Sequence, residues 1–428
     1  MAKGLGPWTA GALVVANMIG VGVFTTSGFA LADLHRPEPV LLAWVIGGVL
    51  ALCGALSYAG LVHAIPESGG EYVFLSRSTH PLAGFLAGWV SLLAGFTAPT
   101  AVAALALQDY LGPLLPWRGD RPFLATAAIL LAWLLHGVRR STGVHLQNAA
   151  VLLKLIVLIA LIAAGAVSLP AATTVGTTGK PVSLPAFAKT LVYVSFAYSG
   201  WNAAVYITGE LREPRAHTVR ALVFGCCAVA VVYVALNAVV LYAAPPAQLA
   251  GRANVAAVAA CALGGERFGV VVSGVVALAL WTSISSMVMA GPRVYARMAA
   301  DGVMPASLAR GGTTPSGAVA LQASLAIAAV WSTGLQELLG YAGVTLGLSS
   351  AATVLGLVRL RRLQGAAAVP VWGYPIVPLA FVAMTLGASA LMATNGGWEA
   401  LWGGLTLAAG VPAYYVLRWS RASRAPRT

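Results

Sequence analysis

Twelve apolar stretches follow one another along this sequence, each close to the ~20 residues that a helix needs to cross a bilayer core. Backbone N–H and C=O groups find no water in that layer, so they must be satisfied within helices. We therefore predict an all-α polytopic membrane protein with twelve transmembrane helices. The predicted spans are 8–31, 40–64, 82–111, 121–138, 144–168, 187–211, 219–244, 268–299, 317–334, 337–360, 374–394 and 398–418.

The distribution of charge predicts the orientation. Charged residues make up 9% of the chain, against ~25% in soluble domains, and the net charge is +13. With the N-terminus inside, seventeen of the 25 basic residues fall in inside segments and seven in outside segments, and the remaining one is Lys154. Because basic residues collect on the cytoplasmic side, we predict a multi-pass protein of the cell (inner) membrane with both termini cytoplasmic. The basic charge then needs no nucleic acid partner.

Cysteine and histidine give no sign of a metal or cofactor site. The four cysteines lie within or beside apolar stretches, without disulfide or metal-ligand spacing, and the six histidines form no ligand pattern. We expect no metal, no cofactor and no obligate protein partner. The lipid bilayer is the partner that these features imply.

The first span is interrupted near its middle by Gly20 and Gly22. Each glycine costs about 1 kcal/mol relative to alanine inside a helix. One interpretation is a helix that breaks there, so that its freed N–H groups and the positive end of the following half-helix face a negative group. The alternative is that the glycines let a neighbouring helix pack closely.

The sixth span carries a corresponding interruption, where small and polar residues occupy 195–202. Two interrupted spans, five apart, suggest two five-helix repeats, although the halves show no residue-by-residue identity. The predicted divisions are a first repeat at 1–168, an external linker at 169–186, a second repeat at 187–362, and helices 11 and 12 with a basic cytoplasmic tail at 363–428. This pairing favours a broken first helix, because matching interruptions mark transporter binding sites.

Lys154 lies well inside the fifth span, ten residues or about 15 Å from its start at 144. A lysine at that depth costs roughly 2.5–3.5 kcal/mol on insertion scales. We interpret it as a cation that faces the bundle interior and loses its proton when desolvated, and so couples transport. The alternative is a lysine that only ties helices together through carbonyl groups.

Hydroxyl groups cluster in the eighth span, where Ser285 and Ser286 are candidates for an ion site. Such hydroxyls also bond commonly to their own helix backbone, and a cation at Lys154 would make a second one unnecessary. No metal is therefore predicted there.

The positions of the acidic residues indicate the charge of the substrate. Glu67 and Glu71 fall in the loop 65–81, which we predict to carry an interfacial amphipathic helix, and the other carboxylates lie in loops or near span ends. We thus expect no carboxylate at mid-depth beside either break. A site for cationic substrates would require one, so a small neutral substrate fits better.

Several motifs, in order, resemble the amino acid–polyamine–organocation (APC) superfamily. Gly20-Val21-Gly22-Val23-Phe24 is similar to its first-helix motif, and segments 66–72, 84–89, 196–202, 209–214 and 293–305 also match. The set spans the first ten predicted helices and looks most like bacterial amino acid permeases and the L-amino acid transporter branch. The resemblance implies a LeuT-type 5+5 inverted repeat with broken helices 1 and 6, two further C-terminal helices, and alternating access.

The resemblance also implies roles for individual residues. Backbone N–H groups of Val21, Gly22 and Val23 would hold a substrate carboxylate. Carbonyl groups of Met18, Phe196 and Ser199 would hold its ammonium. The aromatic ring of Phe196 would close over the substrate, and Lys154 matches a lysine that replaces sodium. The full predicted substrate site is Met18, Ile19, Gly20, Val21, Gly22, Val23, Phe196, Ala197, Ser199 and Asn202.

Two positions depart from the family pattern. Val21 replaces the usual serine or threonine, which removes a hydroxyl contact, and Ser199 replaces a common glycine.

Together with the resemblance, the sequence predicts a secondary active transporter of small or mid-sized neutral L-amino acids, sodium-independent, and either proton-coupled or an exchanger. An exporter or a polyamine or cationic amino acid carrier is the alternative. Two remote alternatives are a membrane enzyme, for which no polar catalytic cluster is visible, and a channel, for which two broken helices are less suited than for an occluded site.

Overall fold

The computed structural model describes residues 6–115, 122–138, 144–168, 181–309 and 316–422. Within these ranges every regular element is a helix. Residues 169–180, which make up most of the predicted linker 169–186, lie outside the described residues. The part of the basic tail after residue 422 does so as well.

Sixteen α-helices make up the described bundle. Their bounds are α1 Pro7–Met18, α2 Gly22–Leu34, α3 Pro37–Ala64, α4 Gly70–Ser78, α5 Pro81–Val90, α6 Ala98–Leu111, α7 Phe123–Trp133, α8 Val144–Ser168, α9 Leu184–Ala197, α10 Pro214–Tyr242, α11 Pro246–Leu249, α12 Val255–Ala300, α13 Ser316–Ser332, α14 Leu335–Gln364, α15 Ile376–Thr394 and α16 Trp398–Ala422. Short π-helical segments occupy Ser91–Thr97 and Leu134–Val138, and 3-10 helices occupy Gly112–Leu114, Ala203–Glu210 and Ala306–Ala309.

Eight helical stretches among the described residues are long and apolar enough to cross a membrane. They are Pro7–Leu34, Pro37–Ala64, Pro81–Leu114, Pro214–Tyr242, Val255–Ala300, Leu335–Gln364, Ile376–Thr394 and Trp398–Trp419. Four shorter apolar helices, Phe123–Gly137, Lys154–Val167, Leu184–Ala197 and Ser316–Ser332, overlap the predicted fourth, fifth, sixth and ninth spans. The chain therefore has the all-helical architecture of a polytopic membrane protein.

Two helices differ from their predicted bounds for local reasons. The stretch Val255–Ala300 begins thirteen residues before the predicted eighth span because an alanine-rich segment is already helical, and it kinks at Gly265, whose φ is +81°. The predicted third span is not uniformly α-helical. It passes through the π-helical segment Ser91–Thr97 between α5 and α6, which widens the helix locally.

The predicted loop helix is present as α4, and it packs against α5 and α14. Its buried positions are Gly70, Glu71, Phe74, Leu75 and Ser78, the three-and-four spacing of a single helical face. Elsewhere in the bundle α10 packs against α1 and α3, α2 against α9, and α6 against α12. These contacts bring the ends of α1, α2 and α9 together in the interior.

Candidate binding site between two helix breaks

The first break separates α1 from α2 over residues 19–21. The N–H of Ile19 still bonds to the Val15 carbonyl, and that of Gly20 turns back to the Met18 carbonyl at 2.8 Å. Among the described residues, no acceptor is found for the N–H groups of residues 21–23. These donors stand at the N-terminus of α2, where the helix dipole is positive, so together they form an anion-binding end.

The second break follows α9 at Ala197 and occupies residues 198–202, before the 3-10 helix Ala203–Glu210. Gly200 has a φ of +94°, a left-handed conformation that favours glycine. The turn is internally bonded, because the N–H of Ser199 donates to the Phe196 carbonyl at 2.9 Å and that of Ala203 donates to Gly200 at 3.0 Å. The carbonyl of Ser199 accepts no hydrogen bond from the described residues, so it remains available to a cation.

The two breaks touch each other at two glycines. A Cβ atom on Gly22 would lie 2.5 Å from the Cα and Cβ atoms of Ala197, so only glycine allows this approach. A Cβ atom on Gly200 would lie 2.9 Å from the carbonyl oxygen of Asn17. Gly20 differs, since its added Cβ would meet only the Met18 oxygen at 3.9 Å. The close approach therefore depends on Gly22 and Gly200.

A cavity of about 970 Å³ opens beside these breaks. It is lined by eight of the predicted site residues, namely Met18, Gly20, Val21, Gly22, Phe196, Ala197, Ser199 and Asn202. Ile19 and Val23 are buried at the break but do not line the cavity. Neutral residues of the third span, α12 and α14 form a further part of the lining: Val90, Ser91, Gly95, Phe96, Pro99, Met287, Ala290, Leu346, Ser349 and Ser350.

Charged side chains gather at the mouth of the cavity instead. Arg77 pairs with Glu67 at 3.4 Å, and Arg297 pairs with Asp301 at 3.1 Å. Tyr72 donates to Asp301 at 3.2 Å. Burial, reinforced by the Asp301 carboxylate, raises the pKa of Tyr72 to about 12, so this phenol is a donor at neutral pH. The mouth lies on the side that charge distribution predicts to be cytoplasmic.

The predicted coupling residues do not line this cavity. Lys154 is only 5% exposed, and its Nζ donates to the Ser283 hydroxyl of α12 at 2.9 Å. Ser283 in turn donates to the carbonyl of Ala279. Ser285 lies 2.7 Å from His136 of the Leu134–Val138 segment, and Ser286 belongs to the same turn of α12. The structure therefore brings the lysine to a neighbouring hydroxyl that the sequence argument had not selected.

The sequence predicts no carboxylate at mid-depth beside either break, but one carboxylate, that of Glu71, does reach the second break. Glu71 is 6% exposed, lines the cavity and accepts a hydrogen bond from the Asn202 amide in the second break. It was assigned to a loop, but it lies on the buried face of α4 with Phe74 and Leu75. The three-and-four spacing from Glu71 to those two residues was the available signal, because it predicts one shared helix face.

Tyr233 is a second residue that the sequence argument missed. Its hydroxyl donates to the Met18 carbonyl, which also accepts from the Gly20 N–H. A carbonyl oxygen has two lone pairs, so in this structure the Met18 carbonyl is already satisfied. The ring of Tyr233 packs 5.1 Å from that of Tyr198 and 5.4 Å from that of Trp44. Nothing in the local sequence of α10 marks this tyrosine.

Comparison with known proteins identifies several similar sequences. A family model described as amino acid permease matches residues 5–409. The b(0,+)-type amino acid transporter 1 of Oryctolagus cuniculus is 32% identical over 53% of this chain and 48% of its own length. The large neutral amino acids transporter small subunit 2 of Rattus norvegicus is 29% identical over 84% of this chain and 70% of its own.

The matches differ in length. The chain spans about half of the rabbit transporter that it matches. The b(0,+)-type amino acid transporter 1 of Rattus norvegicus is 28% identical over 97% of this chain and 89% of its own length. The similarity thus extends over both helix breaks and the cavity walls between them.

Proposed function

This chain belongs to the amino acid permease family, and from that premise we propose that it is a secondary active transporter of small or mid-sized neutral L-amino acids. One observation carries the proposal: two helix breaks meet at one cavity, one of them with open N–H groups and the other with an open carbonyl. An amino acid zwitterion needs both kinds of partner at once. The transport cycle would be alternating access, with the cavity reached from one side at a time.

The two ends of the zwitterion would bind at different breaks. The carboxylate suits the N–H groups of residues 21–23 at the N-terminus of α2. The ammonium suits the Ser199 carbonyl, with Phe196 next to it. Apart from Glu71, whose carboxylate is held by three hydrogen-bond donors, the residues that line the cavity at the breaks are neutral. Those walls favour a side chain without charge, because an unpaired charge among them would be desolvated.

We propose twelve transmembrane helices arranged as a LeuT-type 5+5 inverted repeat, with helices 1 and 6 broken and two helices added at the end. The eight long apolar stretches and the four shorter helices support that number. The repeats would be 1–168 and 187–362. We place the protein in the cell (inner) membrane with both termini in the cytoplasm. In that orientation the mouth of the cavity, at Glu67 and Arg297, opens to the cytoplasm.

We propose that transport is independent of sodium and either coupled to protons through Lys154 or an obligate exchange. The burial of Lys154 inside the bundle, with its Nζ donating to the Ser283 hydroxyl, supports a coupling role for this residue. Lys154→Ala should then lower net transport about tenfold, because an intramembrane cation of this kind is functional by default. The control is Lys189→Ala, which removes a half-exposed lysine paired with Asp33 at 3.3 Å. An unchanged rate and an unchanged pH dependence in Lys154→Ala would remove this residue from the mechanism.

A carrier for cationic amino acids or polyamines, or an exporter, is the second candidate. The observation that favours a cationic substrate is the Glu71 carboxylate in the cavity wall. Against it, that carboxylate already accepts hydrogen bonds from Tyr58, Asn202 and Tyr206. Lysine or putrescine competing more strongly than neutral amino acids would favour the second candidate.

The test is counterflow in sodium-free proteoliposomes, each preloaded with one of twenty unlabelled amino acids. Accumulation of labelled substrate with a few neutral amino acids would support the carrier function, the substrate class and sodium independence together. Liposomes without protein give the background, and a pH gradient then separates proton coupling from exchange. If correctly folded protein accumulates none of the twenty, the amino acid assignment fails and the polyamines are tested next.

A further inference from the structure

Glu71 lies at the centre of a small polar cluster in the cavity wall. Its carboxylate accepts hydrogen bonds from the Tyr58 hydroxyl at 3.0 Å, from the Tyr206 hydroxyl at 2.5 Å and from the side-chain amide of Asn202. None of the four ion pairs found among the described residues includes Glu71. A buried carboxylate held only by neutral donors depends on those donors for its solvation, so their positions are constrained by it.

The three donors come from two different parts of the bundle. Tyr58 belongs to α3, whereas Asn202 lies in the second break and Tyr206 in the 3-10 helix that follows it. The Glu71 carboxylate therefore binds both Asn202 and Tyr206, which lie four positions apart in the segment after Gly200. The Tyr206 ring also occupies the space beside Gly70, where a Cβ would collide with it.

The helix that carries Glu71 is itself anchored from several sides. Arg359 of α14 donates to the carbonyl groups of Ser78 at 2.9 Å and Thr79 at 3.1 Å, at the end of α4. Just before α4, the Ser68 hydroxyl accepts from the N–H of Gly209 at 2.9 Å. Because Arg359 attaches the end of α4 to α14, Glu71 acts on the second break from a helix that has its own support in the bundle.

We propose that Glu71 is a positioning residue for substrate binding, whose carboxylate fixes the turn 198–202 by holding Asn202 and Tyr206. This inference rests on the proposed function, since the Ser199 carbonyl of that turn is the group expected to hold the substrate ammonium. Glu71 itself stays saturated by its three donors and does not touch the substrate. Its loss shifts the turn and weakens binding, whereas the rate of the transport cycle at saturating substrate changes little.

The first experiment compares Glu71→Gln with Glu67→Gln in counterflow. Both carboxylates line the cavity, but the Glu67 side chain is 53% exposed and is paired with Arg77 at the mouth. Glu71→Gln replaces one of the two acceptor oxygens by an NH₂ group and removes the charge, so the three donors keep only one neutral acceptor between them. We expect KM to rise about tenfold, the equivalent of one hydrogen bond to a charged group, with Vmax within about twofold. An equal KM change in both variants, or none in Glu71→Gln, would overturn the proposal.

A pair of hydroxyl deletions separates positioning from simple stabilisation. Tyr206→Phe and Tyr58→Phe each remove one donor to the same carboxylate, but only Tyr206 lies after the break. Tyr206→Phe should raise KM about fivefold, the loss of roughly 1 kcal/mol. Tyr58→Phe should lower the melting temperature without changing KM beyond about twofold. Equal effects of the two variants on KM would show that Glu71 only stabilises the bundle.

An exchange of partners provides the rescue. Asn202→Asp alone places two carboxylates together, whereas the double variant Glu71→Gln/Asn202→Asp restores one amide facing one carboxylate. We expect the double variant to recover KM to within about threefold of the unmodified protein, well below the product of the two single effects. Additive single effects would contradict a direct link between the two side chains.

Hydrogen exchange tests the same link without transport. In purified protein, the backbone amides of 198–206 should exchange about tenfold faster in Glu71→Gln than in Glu67→Gln, because the turn loses its anchor. If Glu71→Gln does not fold, Tyr206→Phe takes its place in this measurement. Unchanged exchange in 198–206 overturns the proposal even if counterflow shows an amino acid transporter. Faster exchange without any counterflow would support the positioning role while the proposed function fails.

Discussion

At the first break the N–H groups of residues 21–23 have no acceptor among the described residues, whereas at the second break those of Ser199 and Ala203 are bonded inside the turn. The first break is thus a set of open donors at a helix N-terminus. The second is a closed turn, fixed by a left-handed glycine and by a carboxylate from another helix. The two interrupted spans therefore present opposite chemistry to the cavity, because different backbone groups are satisfied at each break.

The difference also extends to what supports each break. Tyr233 of α10 satisfies the Met18 carbonyl at the first break, which leaves donors rather than acceptors open there. At the second break Glu71 takes up side-chain donors and leaves the Ser199 carbonyl open. Neighbouring helices thus decide which polarity each break presents to the cavity.

The largest expected effect comes from separating the two breaks. Gly22→Ala would place a Cβ 2.5 Å from the backbone of Ala197, and an overpacked contact of about 3 kcal/mol corresponds to ~100-fold loss of counterflow rate. Gly20→Ala is the matched control, since its Cβ would meet only one atom, at 3.9 Å. Counterflow rates are compared per amount of folded protein. Equal losses of rate in the two variants would show that transport does not depend on the close contact between the breaks.

A smaller effect is expected from the backbone of the second break alone. Gly200→Ala imposes a side chain on a φ of +94° and brings its Cβ to 2.9 Å from the Asn17 oxygen. We expect the free energy of unfolding to fall by about 2 kcal/mol and counterflow to fall ~30-fold. Thermal melting and counterflow measure the two quantities. Gly387→Ala is the control, because no atom lies within 4 Å of its added Cβ. A fully stable and active Gly200→Ala would show that the turn tolerates another conformation.

The first break is tested through its support. Tyr233→Phe removes the hydroxyl that donates to the Met18 carbonyl but keeps the ring against Tyr198 and Trp44. The loss of one hydrogen bond, worth about 1 kcal/mol, should raise the KM for the substrate about fivefold. Tyr415→Phe removes an exposed hydroxyl of α16 and should have no effect. A lower KM in Tyr233→Phe would mean instead that the freed Met18 carbonyl binds the substrate ammonium.

The smallest effect concerns the wall that faces both breaks. A Cβ on Gly95 would meet Ser91 at 3.7 Å and Leu346 at 3.8 Å, which are ordinary contacts, so Gly95→Ala should change stability by less than about 0.5 kcal/mol. It narrows the cavity, and we expect the ratio of KM values for leucine and alanine to rise about fourfold, because one methyl group is worth roughly 0.8 kcal/mol. An unchanged ratio would place the substrate side chain elsewhere.

Much of the helical architecture follows from the sequence. The apolar stretches fix the class of protein, since a backbone in hydrocarbon must satisfy itself within helices. The glycines at 20 and 22 and the small residues at 195–202 mark where the described helices stop, because those residues support a helix poorly. The same reasoning missed the π-helical segment Ser91–Thr97, which depends on how the third span packs against its neighbours.

The polarity of the site was decided only by tertiary contacts. Glu71 is separated by 131 residues from Asn202, and Tyr233 by 215 residues from Met18, so no local pattern announces either hydrogen bond. Lys154 was selected by its depth in an apolar stretch, yet its partner Ser283 lies 129 residues away on α12. The sequence by itself determined where the backbone must open, because glycine and apolar runs act locally. Which donors and acceptors remain open depended on the packing of distant helices, because a hydrogen bond is made by whichever group the fold brings within reach.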